Sequence, residues 1–151
     1  MRLVFHLLFW RPPVGSTERH AMLSHDQLID QFYDCYNRHD ASAAIALYAS
    51  DGRHVEMAMG KTRAGADALQ AGLEGFFKMM PDVVWRERER VRSAGRVAVV
   101  YTMTGHVAPR SSDAAAKPVA LPGLHVFTIE NGQIIETQDL WDKAEFLAQI
   151  A

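Results

Sequence analysis

The stretch HVFTIENGQIIETQDLWD, His125 to Asp142, decides how this chain folds. Its halves are two strand-like, largely apolar runs around Asn131-Gly132, a pair suited to the two positive-φ positions of a type I′ turn. The stretch is therefore an antiparallel hairpin, with Val119 to Glu130 returning as Gln133 to Trp141. Successive side chains of a strand point to opposite faces. On the first arm Leu121, Gly123, His125, Phe127 and Ile129 share a face. On the second, Ile135, Thr137, Asp139 and Trp141 share one. If Phe127 and Trp141 face inward, His125 and Asp139 do so with them, and two titratable groups are aimed into an apolar interior.

Upstream of the hairpin, the polar run at 108–118 is a loop, Val97 to Val107 is a β-branched strand, Ser93-Ala94-Gly95 is a turn, and Val83 to Arg92 is a further strand. On that last strand Arg86, Arg88, Arg90 and Arg92 fall on one face, with Trp85, Glu87, Glu89 and Val91 on the other. The arginine face carries no aromatic residue and the chain has a net charge of −2, so it reads as a solvated rim or dimer face and not as a nucleic-acid patch. The N-terminal half is helical. Ser24-His25-Asp26-Gln27 is a capping box that opens a helix over 25–38. A second helix is expected over Ala41 to Tyr48, then a short strand from His54 to Met59. Gly65 opens a third helix with Leu69, Leu73, Phe76 and Met80 on one face, closed by Pro81. Asp142-Lys143-Ala144-Glu145 is a second capping box and opens a C-terminal helix. The order ααβαββββα, with helices on one face of a strongly curved, mostly antiparallel sheet, is an α+β fold.

With 151 residues, 48% of them hydrophobic, the chain makes one domain around one core, assigned to 24–151. Residues 1–23 read as an N-terminal extension, disordered or part of an over-long start. Their apolar run, Leu3 to Trp10, is too short to cross a membrane and is followed by no small-residue cleavage site. Met22 as the working start is preferred to an export signal in residues 1–21. Cys35 is the single cysteine, so no internal disulfide forms; a cytoplasmic protein is expected.

Three strings, FYDCYNRHDASAAIALYASDGRHVEMAMG at 32–60, TRAGADALQAGL at 62–73 and LPGLHVFTIENGQIIETQDLWDKAEFLAQI at 121–150, give the chain its family resemblance through their order and spacing. In these it resembles the SnoaL-like polyketide cyclase branch of the nuclear transport factor 2-like superfamily, related to ketosteroid isomerases, limonene-epoxide hydrolases and scytalone dehydratases. The resemblance implies a cone of curved sheet around a deep pocket closed by helices. It does not by itself give the chemistry. Against the isomerase pattern, Met57 stands where the catalytic aspartate belongs, His125 where the acid of the oxyanion hole belongs, and Phe32, rather than Tyr33, at the catalytic tyrosine. Against the epoxide hydrolase pattern Asp139 matches the water-activating aspartate, but His54 and Glu56 replace the Tyr-x-Asn pair. The Arg-x-Asp strand motif gives way to Thr102 and Thr104.

These residues point to an apolar pocket for a small, hydrophobic, oxygen-bearing molecule and to acid/base chemistry without a cofactor: cyclisation, dehydration or isomerisation. Asp139 is the candidate base, its pKa expected to rise in the apolar cavity, and His125 the candidate donor or positioning group. His54 and Glu56, two residues apart on one strand, are expected at the polar end. Tyr36, Tyr101, Phe127 and Trp141 are expected to shape the walls, with Met57, Met59, Met79, Met80 and Met103 as plastic core or lining. Gathering His54, Glu56, His106, His125 and Asp139 would make a metal set, but no pair has the helical H-x-x-x-H or H-E-x-x-H spacing, so no metal is expected. A homodimer through the outer sheet face is expected from Val126, Thr128, Ile134 and Leu140. The alternative is a non-catalytic small-ligand-binding protein with the same pocket, its His125–Asp139 pair serving to hold the sheet.

Overall fold

A computed structural model describes residues 23–109, 111 and 115–151. The N-terminal extension falls almost wholly outside the described residues, as does part of the 108–118 loop. Helix α1 spans His25–Asn37 and starts as its capping box dictates: Ser24 Oγ accepts from the Gln27 amide and Gln27 Oε1 accepts from the Ser24 amide. Leu28, Ile29, Phe32, Tyr33, Cys35 and Tyr36 form its buried face. Helix α2 is shorter than the sequence pattern suggests, Ala41–Ile45, because the chain already turns into strand β1 at Tyr48. That strand runs Tyr48–Glu56, and a tight turn through Gly60 leads to β2, Lys61–Ala64, which the sequence reading missed. Gly65, at φ +79°, opens α3, Ala66–Met79. Strands β3 (Val84–Ser93), β4 (Arg96–Val107), β5 (Lys117–Glu130) and β6 (Gln133–Trp141) follow, then α4 (Lys143–Ile150). Asn131 and Gly132 both have positive φ, as their turn requires.

The six strands form one sheet in the order β2-β1-β6-β5-β4-β3, antiparallel except where β1 joins β6. The helices cover one face. Phe32 of α1 packs edge-on against Phe127 of β5, ring centres 4.9 Å apart, and both are fully buried. The outer end of the sheet is tied to α1 by Arg90. Its guanidinium donates to Asp26 (3.1 Å), Asp30 (2.7 Å) and Glu87 (2.6 Å).

Two bulges revise the faces expected from simple alternation. In β6 the pairing steps from Ile129↔Ile134 to Thr128↔Glu136, leaving Ile135 unpaired. Ile134 is therefore the fully buried residue, not an outward one, and Ile135 is only half-buried. Beyond the bulge Thr137 is buried, and Asp139 and Trp141 face inward as expected. In β3 the bulge falls at Arg88, between Glu87↔Tyr101 and Glu89↔Val100. The four arginines consequently do not share a face: Arg86 stands opposite Thr102, whereas Arg90 and Arg92 turn towards α1 and bond Asp26.

Candidate functional site

The sheet register lays the site out in three rows. Tyr101, Gly123 and Trp141 are consecutive cross-strand partners, as are Val99, His125, Asp139, Glu56 and Lys61 in the next row. The third row is Val97, Phe127, Thr137, His54 and Arg63. Directly opposed residues share a sheet face. The pairing thus brings a histidine from β5, a carboxylate from β6 and a histidine and carboxylate from β1 to one place, though they are far apart in sequence.

They meet at a cavity of about 370 Å³ between the sheet and α3. Its wall includes Tyr36, His54, Glu56, His125, Asp139 and Trp141, six of the eight expected site residues. Phe127 is not on the wall; it is fully buried against Phe32 in the core. Tyr101 is also off the wall and acts from behind. Its hydroxyl donates to Asp139 Oδ1 at 2.6 Å. The ring reaches that position because residue 123 is glycine: a Cβ there would stand 2.2 Å from Tyr101 Cζ. Additional lining comes from Ile45, Leu69, Phe76, Trp85, Met103 and Phe146.

Asp139 Oδ1 also lies 3.4 Å from Nε2 of His125, whose Nδ1 is 2.9 Å from the Tyr33 hydroxyl. Both nitrogens of His125 are thus occupied within the protein, and its side chain is 1% exposed. This geometry suits positioning of Asp139 and leaves no spare ring N–H for a carbonyl. Burial, and next the Asp139 charge, pushes the Tyr33 and Tyr101 hydroxyls well above the usual phenol range, which keeps them as donors. Asp139 departs from the expectation of a raised pKa. Burial does oppose its ionisation, but His125, the Tyr101 hydroxyl and His54 outweigh it and hold the carboxyl below its ordinary value. The group is a carboxylate at neutral pH. Its Oδ2 has no hydrogen-bond partner among the described residues.

A second chain of contacts orients His54. Tyr48 Oη lies 2.8 Å from Thr137 Oγ1, which lies 2.8 Å from His54 Nδ1. With Tyr48 donating to Thr137 and Thr137 to His54, the imidazole proton sits on Nε2, 4.0 Å from Glu56 Oε2. Sequence reading did not single out Tyr33, Tyr48 or Thr137 as functional; only their helical or strand phase relative to Phe32, Ile45 and Asp139 could have done so. Two polar atoms of wall residues, Glu56 Oε1 and Trp85 Nε1, are buried without a partner among the described residues. His54, Glu56 and Asp139 also offer one ligand atom each within 4.8 Å of one another, an imidazole and two carboxylates of a type that binds divalent ions. His106 is not part of this group: it bonds Asp82 at 2.6 Å.

No helix among the described residues is long and apolar enough to cross a membrane. No curated protein matches the chain in sequence. Solved structures do match in fold. A Catenulispora acidiphila protein with a ketosteroid isomerase-like fold, in complex with trimethylamine, superposes with a TM-score of 0.73 at 20% identity, over 83% of this chain and 93% of its own. A Shewanella denitrificans protein described as a SnoaL-like polyketide cyclase gives 0.73 at 14% identity, over 83% and 95%. TerC, co-crystallised with polyporic acid, gives 0.72 at 18%, over 83% and 96%. The sequence profile of the SnoaL-like domain matches residues 29–137, and the chain belongs to that family.

Proposed function

We propose that the cavity takes a small, mostly hydrophobic, oxygen-bearing molecule and moves a proton on it by cofactor-free acid/base chemistry, of the kind that drives cyclisation, dehydration or isomerisation. The observation that carries this reading is Asp139: a carboxylate with one oxygen held by Tyr101 and His125, the other unpartnered, on the wall of an apolar cavity. Cavities of a few hundred Å³ with a few convergent polar groups suit ligands of this size. In the proposed step Asp139 takes a proton from carbon next to the ligand carbonyl, while the Nε2–H of His54 stabilises the oxygen as charge develops there. His125 holds Asp139 in place. Cognates of this fold crystallised with trimethylamine and with polyporic acid support small-molecule binding. The protein is further proposed to be a cytoplasmic homodimer.

The experiment is deuterium exchange at the α-carbon of 2-tetralone, followed by NMR in D₂O. The wild type should accelerate exchange, and Asp139→Asn should lower that acceleration by roughly 10²-fold or more. Exchange no faster than with Asp139→Asn would leave the second reading, a binding protein whose His125–Asp139 pair holds the sheet; the closed Tyr33–His125–Asp139–Tyr101 network is what favours it.

A further inference from the structure

The mouth of the cavity carries two cations that the proton-transfer scheme does not use. Lys61 and Arg63 stand on β2 and line the cavity beside Met59, Phe76 and Met79. Their register sets Lys61 opposite Glu56 and Arg63 opposite His54, so both lie on the cavity face of the sheet. Arg63 is half-buried. Its side chain lies against Gly72 of α3: a Cβ at that position would stand 2.3 Å from Nε and 2.4 Å from Cδ of Arg63. Glycine inside a helix is less stable there than alanine. Here it leaves the gap that lets the guanidinium lie across the mouth from strand to helix.

Among the described residues neither Arg63 nor Lys61 has a carboxylate within 4.0 Å; Arg86, Arg88 and Arg96 have none either but are exposed, whereas Arg90, half-buried like Arg63, is paired. A partly desolvated cation without an acidic partner is a place where a ligand anion gains most. The carboxylates Glu56 and Asp139 are largely buried, at 17% and 13% side-chain exposure, while Lys61 is exposed, so an anionic group is repelled from the buried end and attracted at the open one.

We propose that Arg63, with Lys61 beside it, binds the carboxylate of an amphipathic ligand whose apolar body fills the cavity and whose uncharged oxygen end meets Asp139. The substrate class is then hydrophobic carboxylic acids. This deepens the reading of the pocket but does not depend on proton transfer.

The test compares 2-naphthoate with its uncharged analogue 2-naphthamide, titrated against the fluorescence of Trp85 and Trp141. The wild type should bind naphthoate at least about tenfold tighter than the amide, a preference weakened by salt. Arg63→Gln should erase the preference and leave amide affinity within about threefold. Gly72→Ala, which displaces the guanidinium and not the backbone, should narrow it as well. Thermal melts of both variants should stay close to that of the wild type, which shows that they fold. Equal affinity for the two probes in the wild type, or a preference that survives Arg63→Gln, would overturn the proposal. Binding of neither probe at millimolar concentration would overturn it along with the pocket reading. Loss of exchange catalysis in the tetralone assay, with the naphthoate preference intact, would instead remove only the proton-transfer scheme.

Discussion

At the scale of single residues, the site works by opposing two effects on Asp139. Desolvation favours its neutral form, and a histidine and a tyrosine hydroxyl favour its charge; the partners win. Sequence reasoning could place Asp139 in an apolar setting but could not see Tyr101 arriving from behind. A lowered native pKa has a defined consequence for stability. The unfolded carboxyl titrates near 3.8, so the contribution is fully present above that pH and is lost as pH falls through the lower native value. Thermal melts of Asp139→Asn should therefore run below those of the wild type by about 1–3 kcal/mol at neutral pH, with the gap closing in strong acid. A gap unchanged at pH 2 would contradict that linkage. Gly123→Ala is a sharper probe of the same contact. Its methyl group would sit inside the Tyr101 ring, forcing the ring away from Asp139. The expected outcome is a loss of about 1–3 kcal/mol of stability, together with an upward shift of the Asp139 pKa seen by carboxyl ¹³C NMR. An unshifted pKa would show that the tyrosine contact is not what holds it down.

At the scale of elements, the hairpin in HVFTIENGQIIETQDLWD was legible because Asn131-Gly132 stands between two strand-like, apolar-rich runs. Both capped helices were legible for a similar reason: at Ser24 and Asp142 the capping chemistry is local, and Asp142 Oδ1 accepts from the Ala144 and Glu145 amides, although the reciprocal half of the expected box does not form, Glu145 Oε1 accepting from Gln149 instead. What alternation could not supply was its own interruptions. Nothing local in QIIETQ marks Ile135 as the bulged residue, and nothing in RERERV marks Arg88, because a bulge is fixed by the partner strand. Strand β2 was missed since KTRA has no apolar face to bury; β1 gives it its shape. The early end of α2 has the same origin, with Tyr48 drawn into pairing opposite Ile134. The site survived these errors because the count holds from Thr137 onward. Deleting Ile135 should therefore be tolerated far better than deleting the paired residue Gln138. Without Ile135, Ile134 and Glu136 keep their partners Ile129 and Thr128, and Thr137 and Asp139 keep their face. Without Gln138, Asp139 is carried to the outward position. Melting temperature should fall by well over about 4 °C, the shift expected for 1 kcal/mol in small domains, on deletion of Gln138 and by much less on deletion of Ile135. Equal effects would show that the register of β6 is not what places Asp139.

At the scale of the whole molecule, one sheet supplies the pocket on one face and carries partly exposed apolar residues on the other. Val126, Thr128 and Leu140 lie on strands of that sheet and are only partly covered, with Val100 exposed; Ile134, expected there, is in the core. Sedimentation at micromolar concentration should show a dimer, and a monomer throughout would count against use of this face. Removal of residues 1–21 should leave melting temperature and association unchanged, since the capping box that starts the folded domain begins at Ser24. The fold and the pocket follow from family membership, while the chemistry rests on the protonation state of one carboxylate. The pH profile of 2-tetralone exchange tests that state directly. An ionised Asp139 acting as base predicts a rate that is flat from neutrality down to the ordinary carboxyl value of 3.8 and falls only at lower pH, as the depressed native pKa is crossed, once the solvent-catalysed background is subtracted. A rate that instead climbs through pH 6–7, or a profile identical in Asp139→Asn, would contradict the assignment.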